Sequence, residues 1–305
     1  MAEVTFPAFP GPELEAYVSR LLEEAGVPCF LWGESVLQIL RVPTVDFFSA
    51  WVVPDDCIEQ AVRALDAAKF PPCIQGEECS LFWKHRSHPI PDHHYHTDLR
   101  YPEMPELTCG VYLYKKSRLF WSIPDPVIGP PVPDDPYYML SSDPRLRAGG
   151  ATTRGRSPAG KYPVKMIIPA RYIVCMLLLK LRDWVSKITS GHWAVELTYL
   201  MEYVIGKEDN PALRLDDIAE PWREYFRQHM VDVPLDEKTG RADHHYMDEN
   251  DIDFGHKHFL RLYVMLKSSG QLPLPEPGRD YYSDPFPVEQ ELREKGISFD
   301  PKIFE

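Results

Sequence analysis

The sequence predicts an α+β protein, a mixed sheet with flanking helices followed by a C-terminal helical region. Three observations carry this. Between residues 30 and 123, short apolar runs that read as strands alternate with helical stripes. From 124 to 169 prolines and glycines are dense and no periodicity holds. Beyond 170, apolar residues return at helical spacing. The expected organisation is an α/β part over 1–123, a long basic Pro/Gly-rich loop over 124–169, and a helical part with a Pro-rich tail over 170–305.

Taken in order, Pro12 followed by Glu13, Leu14 and Glu15 starts a helix, Tyr17, Val18, Leu21 and Leu22 give its stripe, and Gly26 ends it. The stretch Phe30–Pro54 then reads as an apolar strand end, a tight turn at Gly33-Glu34-Ser35, a short helix through Leu37 and Leu40, and a second strand opening at Asp46 and stopped by Pro54. Asp55 and Asp56 are placed to cap a further helix with Ile58, Val62 and Leu65 on one face. Strands are predicted at Ser80–Lys84, His94–Leu99, Cys109–Tyr114 and Arg118–Ile123. Helices are predicted over Ala170–Ile188, Trp193–Ile205, Pro221–His229 and Phe254–Leu266, with a short one around Val288–Lys295.

Composition narrows the function. With 305 residues, 44% of them hydrophobic, the chain can bury a substantial core. A net charge of −13 argues against a surface coated in positive charge, so DNA is not an expected partner. Six cysteines (Cys29, Cys57, Cys73, Cys79, Cys109 and Cys175) lack any C-x-x-C pair, and reduced core thiols are expected rather than a zinc site. The first residues lack a basic region followed by an apolar run, and the longest apolar run, Tyr172–Leu179, is too short for a bilayer. A cytoplasmic protein with no membrane partner is expected.

The order of elements in Phe30–Pro54 resembles the core of the nucleotidyltransferase superfamily. Gly33, Leu37, Arg41, Thr44 and Asp46 match its pattern of a small-residue turn, a short helix and a strand carrying Asp-x-Asp. Glu34 stands where a second small residue is expected, and Phe48 where a second carboxylate is expected. The stretch is similar to fungal proteins with a degenerate nucleotidyltransferase-like core. The resemblance implies a nucleotidyltransferase-like mixed sheet, a turn that cradles phosphate, and magnesium held by carboxylates. Phe48 cannot ligate a metal, which puts two-metal nucleotidyl transfer in doubt.

Several residues could carry chemistry. Asp46 reads as a metal ligand or general base, or as a turn residue. Asp98 stands in a place suited to a third carboxylate, and His94 and His96 share a strand face beside it, so the three could bind a divalent ion or simply form a histidine-rich strand. Glu34 would repel a phosphate at the Gly33–Ser35 turn, so either the turn no longer binds a nucleoside triphosphate or Glu34 accepts a cationic group or a proton; the plainer reading is that it faces solvent or pairs with Arg41. Residues 145–171 hold Arg145, Arg147, Arg154, Arg156, Lys161, Lys165 and Arg171 with no acidic residue. Such a loop suits phosphate oxygens of a nucleotide or tRNA, or else it neutralises the acidic surface. His244 and His245 with Asp243 and Asp248 form a weaker metal candidate on a polar segment.

Three functions follow from these residues and the resemblance. One is tRNA-dependent aminoacyl transfer that forms a peptide bond, similar to fungal arginine-containing cyclodipeptide synthases. Glu34, Asp46 and Asp98 would then be catalytic and Gly33, Ser35, His94, His96, Arg154, Arg156, Lys165 and Arg171 would bind substrate. Another is magnesium-dependent nucleotidyl transfer. The third is a non-catalytic binding module.

Overall fold

The computed structural model describes residues 6–45, 47–83, 88–98, 108–150, 153–184, 187–207, 210–229, 249–275 and 287–304. The fold is α+β, built on a six-stranded mixed sheet with flanking helices. Helix α1 (Pro12–Glu24) begins on proline at its first turn and is followed by Gly26 at φ 75°. It buries Leu14, Val18 and Leu22, each contributing roughly 1.5–3 kcal/mol. Strand β1 (Phe30–Trp32) runs through Gly33 into α2 (Glu34–Ile39), and β2 (Phe48–Val53) returns antiparallel beside β1. Helix α3 (Ile58–Ala67) leads to β3 (His93–Asp98) and β4 (Cys109–Lys115).

The strand order is completed by β5 (Tyr138–Leu140) and β6 (Lys165–Ile167), giving β3-β4-β2-β1-β6-β5. β2 and β4 run parallel, β3 and β4 antiparallel, β1 and β6 parallel, and β5 and β6 antiparallel. The outer edge of β3 is covered by residues 71–73, where Pro72 bridges to Tyr95 and the amide of His96 donates to Pro71 O. Tyr95 faces α3, donating its hydroxyl proton to Asp66 at 2.9 Å. Trp32, on the opposite face, lies against Trp193, whose helix comes from the second half of the chain.

That second half contributes α5 (Pro169–Arg182), α6 (Lys187–Tyr203), α7 (Trp222–His229), α8 (Glu249–Ser268) and α9 (Val288–Glu294); α5 ends six residues before the predicted Ile188, and α6 begins six residues before the predicted Trp193. Trp184 and Trp193 are buried, while Tyr199 and Tyr203 are only half-buried against the core. Helix α5 is apolar nearly all round because it is enclosed by the sheet and other helices. A buried Arg182–Asp183 pair at its end receives the Trp193 indole N–H on Asp183 at 2.8 Å, pinning α6 to α5.

Four local expectations are corrected. Ser80–Phe82 is a 3-10 turn, not the start of a strand. Residues after β4 turn into the short helix α4 (Lys116–Leu119), because β4 already has β2 and β3 on its two sides and no sheet edge is open there. Asp55 accepts from the Ser117 amide and hydroxyl instead of capping α3, and thereby fixes that turn. The irregular segment 124–169 contains β5 and β6, strands of three residues that are too short to show a period. Asp46, Lys84, Leu99 and the His244–His245 group lie outside the described residues.

Four basic residues of the loop are paired with carboxylates within the molecule. Arg154 makes a two-pronged contact with Glu15, which is fully buried on α1. Lys165 is buried on Glu23 and donates to Gly129 O at 2.6 Å, while Lys161 reaches Glu13 and Arg145 grips Asp143. Helix α1 is thus stitched to the loop by three carboxylates at positions 13, 15 and 23. Removing one partner strands a buried charge. Arg154→Met and Lys165→Met should each cost roughly 3–5 kcal/mol in urea denaturation. Arg156→Ala, on an exposed side chain, should stay within about 0.5 kcal/mol. Equal effects of all three would overturn this assignment.

Candidate functional site

The site grows from the turn between β1 and α2. Gly33 adopts φ 72° and ψ −146°, a left-handed conformation that a side chain would strain, and its carbonyl accepts the amides of Val36 and Leu37. Its own N–H donates to the Tyr172 hydroxyl at 3.2 Å. The amide that a phosphate cradle would need therefore points into the protein. Ser35 is fully buried, so neither residue of the expected cradle offers a surface.

Glu34, the first residue of α2, is held by His88, not by Arg41. His88 Nε2 lies 3.2 Å from Glu34 Oε1, and both side chains are partly exposed. Arg41 instead adopts φ 68° and donates from Nε to Thr153 Oγ1. Glu34 Oε2 is buried and has no hydrogen-bond partner among the described residues. Behind His88, its ring lies 4.4 Å from that of His192. His192 and Glu196 stand one turn apart on α6, with 3.5 Å between Nε2 and Oε1, too far for a formed hydrogen bond. Glu196 Oε2 accepts the Tyr172 hydroxyl at 2.9 Å, which returns the network to Gly33.

Burial sets the protonation of this inner part. The Glu196 carboxyl is pushed up from 4.5 to about 8 by burial, opposed by the Tyr172 hydrogen bond and raised further by Glu34. Burial holds His192 well below its usual range, with His88 adding repulsion, and raises the Tyr172 hydroxyl well above its own. At neutral pH the inner site is a protonated carboxyl, a neutral imidazole and a phenol, reaching the surface through His88 and Glu34.

Strand register places the remaining candidates. Phe48 begins β2 opposite Gly110 of β4, and Gly110 is opposite His96 of β3. Gly33, Phe48, Gly110, His96 and Asp98 thus mark one end of the sheet, but β4 and β2 stand between β3 and β1. Three strand spacings come to about 14 Å, so Asp98 and Glu34 cannot share an ion. The level of β4 facing Phe48 is filled by the Tyr112 ring, stacked on Phe48 at 4.5 Å. Gly110 makes room for it, since a Cβ there would lie 2.7 Å from that ring. Phe48 meets the His88 ring edge-on at 5.4 Å.

His94 and His96 do share a face, as the strand alternation requires, and both are buried. Their neighbour is Cys79, with Sγ 3.5 Å from each Nε2, while a register shift between His96 and Asp98 interrupts the pattern before the carboxylate. Burial, with repulsion from His96 and His93, lowers His94 to about 4, and burial lowers His96. Of the loop residues, Arg154 and Lys165 are engaged by Glu15 and Glu23, Arg171 lies over the Tyr137 ring, and Arg156 is exposed. Sequence reasoning missed Tyr172, His88, His192 and Glu196. The one available signal was His192-x-x-x-Glu196, two titratable residues on one face of a helix otherwise apolar on that side.

The Glu196 proton has a measurable consequence. The folded state holds it to higher pH than the unfolded chain does, so stability from this group is full below about 4.5 and falls as pH rises towards 8. Glu196→Gln still accepts from Tyr172 but cannot ionise. The wild-type stability relative to this variant should decline by a few kcal/mol across that window in urea titrations, the histidine contributions cancelling in the difference. A pH-independent difference would sink the assignment. No family model, curated protein or solved structure matches the chain, so the chemistry of the site rests on its own residues.

Proposed function

We propose that the chain is an enzyme that transfers an activated acyl group to the amine of a cationic substrate, on a nucleotidyltransferase-like scaffold followed by a helical region. The observation that carries this is Glu34, with one oxygen on His88 and the other buried with no partner among the described residues. A buried carboxylate oxygen without a donor is costly, and a guanidinium or ammonium group supplies what it lacks.

Glu34 fixes His88 with Nε2–H towards the carboxylate, which leaves Nδ1 as the basic nitrogen. The substrate amine attacks the carbonyl carbon of the acyl ester, a C–N bond forms, and the C–O bond to the alcohol breaks. His88 takes the amine proton and the leaving alkoxide is reprotonated from the same ring. Tyr172 and Glu196 position the turn from behind and keep a second carboxylate neutral beside Glu34. Two-metal nucleotidyl transfer has less support, since Phe48 and Tyr112 occupy the strand positions facing the turn and the Gly33 amide is already bonded.

For the donor, an aminoacyl-tRNA supplies the activated ester, and the resemblance to arginine-containing cyclodipeptide synthases names the product class to seek. The internal pairing of Arg154, Lys161 and Lys165 leaves less of the 145–171 loop for a phosphate backbone, so an RNA contact there would fall chiefly to Arg156 and Arg171.

Expression in a bacterial host, followed by mass spectrometry of small molecules against an empty-vector control, tests the reading without a guessed substrate. The expected outcome is a new arginine-containing cyclic dipeptide, reduced about 100-fold or more in His88→Asn and Glu34→Gln. An unchanged metabolite profile, or a product that survives both substitutions, would overturn it. Magnesium-dependent ATP turnover would then favour nucleotidyl transfer, and neither activity would favour a binding module.

A further inference from the structure

Cys73, Cys79, His94 and His96 converge although no spacing in the sequence announces them. One ligating atom from each lies within 4.8 Å of the others. Cys73 comes from the segment that covers the edge of β3, its amide bonded to His94 O. Cys79 follows the 3-10 turn Gly76–Glu78, which brings the chain back over the same strand. His94 and His96 project from β3 to meet it. Three of the four residues are buried and Cys73 is half-buried, at the outer side.

We propose that these four side chains hold a structural zinc ion. Two thiolates and two imidazoles are the donor set zinc prefers among the abundant cations. The distances suit it: zinc–sulfur near 2.3 Å and zinc–nitrogen near 2.05 Å in a tetrahedron put sulfur and nitrogen about 3.6 Å apart. Cys79 Sγ stands 3.5 Å from both Nε2 atoms. With the thiol ionised and both Nε2 atoms unprotonated, a cation between them is bound by all three at once. The rings of Phe82 and Tyr112 enclose His94, giving the apolar shell of a closed site. Four protein ligands leave no open position, so this zinc is structural, not catalytic.

The ion ties both ends of the segment from Cys79 to His94, and His88 lies within that segment. On the same sheet face an unbroken row of rings runs from His94 through Tyr112 and Phe48 to His88. The zinc clip thereby helps to set the position of His88 against Glu34. This goes beyond the proposed acyl transfer and does not depend on it.

The test is metal analysis of the full chain purified without chelator, together with cobalt(II) substitution. About one equivalent of zinc per chain is expected, with Cys79→Ser and His96→Ala each retaining under about a tenth of it and Cys57→Ser retaining all. Cobalt(II) in the wild-type protein should give the strong visible bands of a tetrahedral centre and a thiolate-to-cobalt charge-transfer band, a readout that needs no variant to fold. Protein that binds neither metal stoichiometrically after reduction and zinc exposure would overturn the proposal. So would a Cys73–Cys79 disulfide in metal-free protein on non-reducing peptide mapping, or a cobalt spectrum without the thiolate band.

Discussion

A buried amide must find an acceptor, and the Gly33 amide finds one 139 residues along the chain, in Tyr172. Much else follows from that bond. Tyr172 can accept from Gly33 while donating to Glu196, which fixes α5 and α6 against the sharpest turn of the sheet. Glu196 is fully enclosed and stays protonated up to about 8, so the inner network is neutral and its cost of burial stays modest. The carboxylate at the partly exposed end of this network is Glu34, and its position is set by the helix that Gly33 starts. A single left-handed glycine thus joins one contact between the two halves of the chain to the placement of Glu34.

The segregation of charge follows the same rule. Seven basic residues without an acidic one between them suggest an external anion, yet helix α1 supplies the anions from within. Glu15 and Glu23 could not be buried alone, and Arg154 and Lys165 could not leave water without them. The basic segment is therefore a condition for packing α1 against β6. Charge patterning in the sequence was informative about pairing and silent about where the partners of Arg154, Lys161 and Lys165 lie, because these are 139, 148 and 142 positions away.

Elements with a period of their own were legible: α1, the turn from β1 to α2, β2, β4 and the helices after 169. Those whose form depends on what is already beside them were not. Arg118–Ile123 has strand-like residues but no free edge to join, and β5 and β6 are strands only because β1 offers one. The site divides in the same way. Glu34 stood out because it replaces a small residue in the pattern that the turn resembles. His88, His192, Glu196 and Tyr172 carry no local oddity, and they become a site only when α5 and α6 close over the sheet. Cys73 and Cys79 are separated by an irregular five-residue excursion whose return path is set by the edge of β3, so their spacing resembles no familiar metal motif.

Positions 34 and 48 are physically coupled. Phe48 is buried between the Tyr112 and His88 rings, in the row that continues to His94. A carboxylate at 48 would sit in that buried row of rings, beside the His88 that Glu34 already engages. Desolvation and like-charge repulsion would together cost several kcal/mol, and the group would take up a proton instead of holding a metal. An aromatic at 48 removes that conflict and gives His88 a wall to rest against, so that Glu34 can orient it with a single hydrogen bond. With an aromatic at 48, the carboxylate beside His88 is Glu34, at the partly exposed turn. Asp98, on β3, stands about three strand spacings from Glu34, so the two carboxylates act apart.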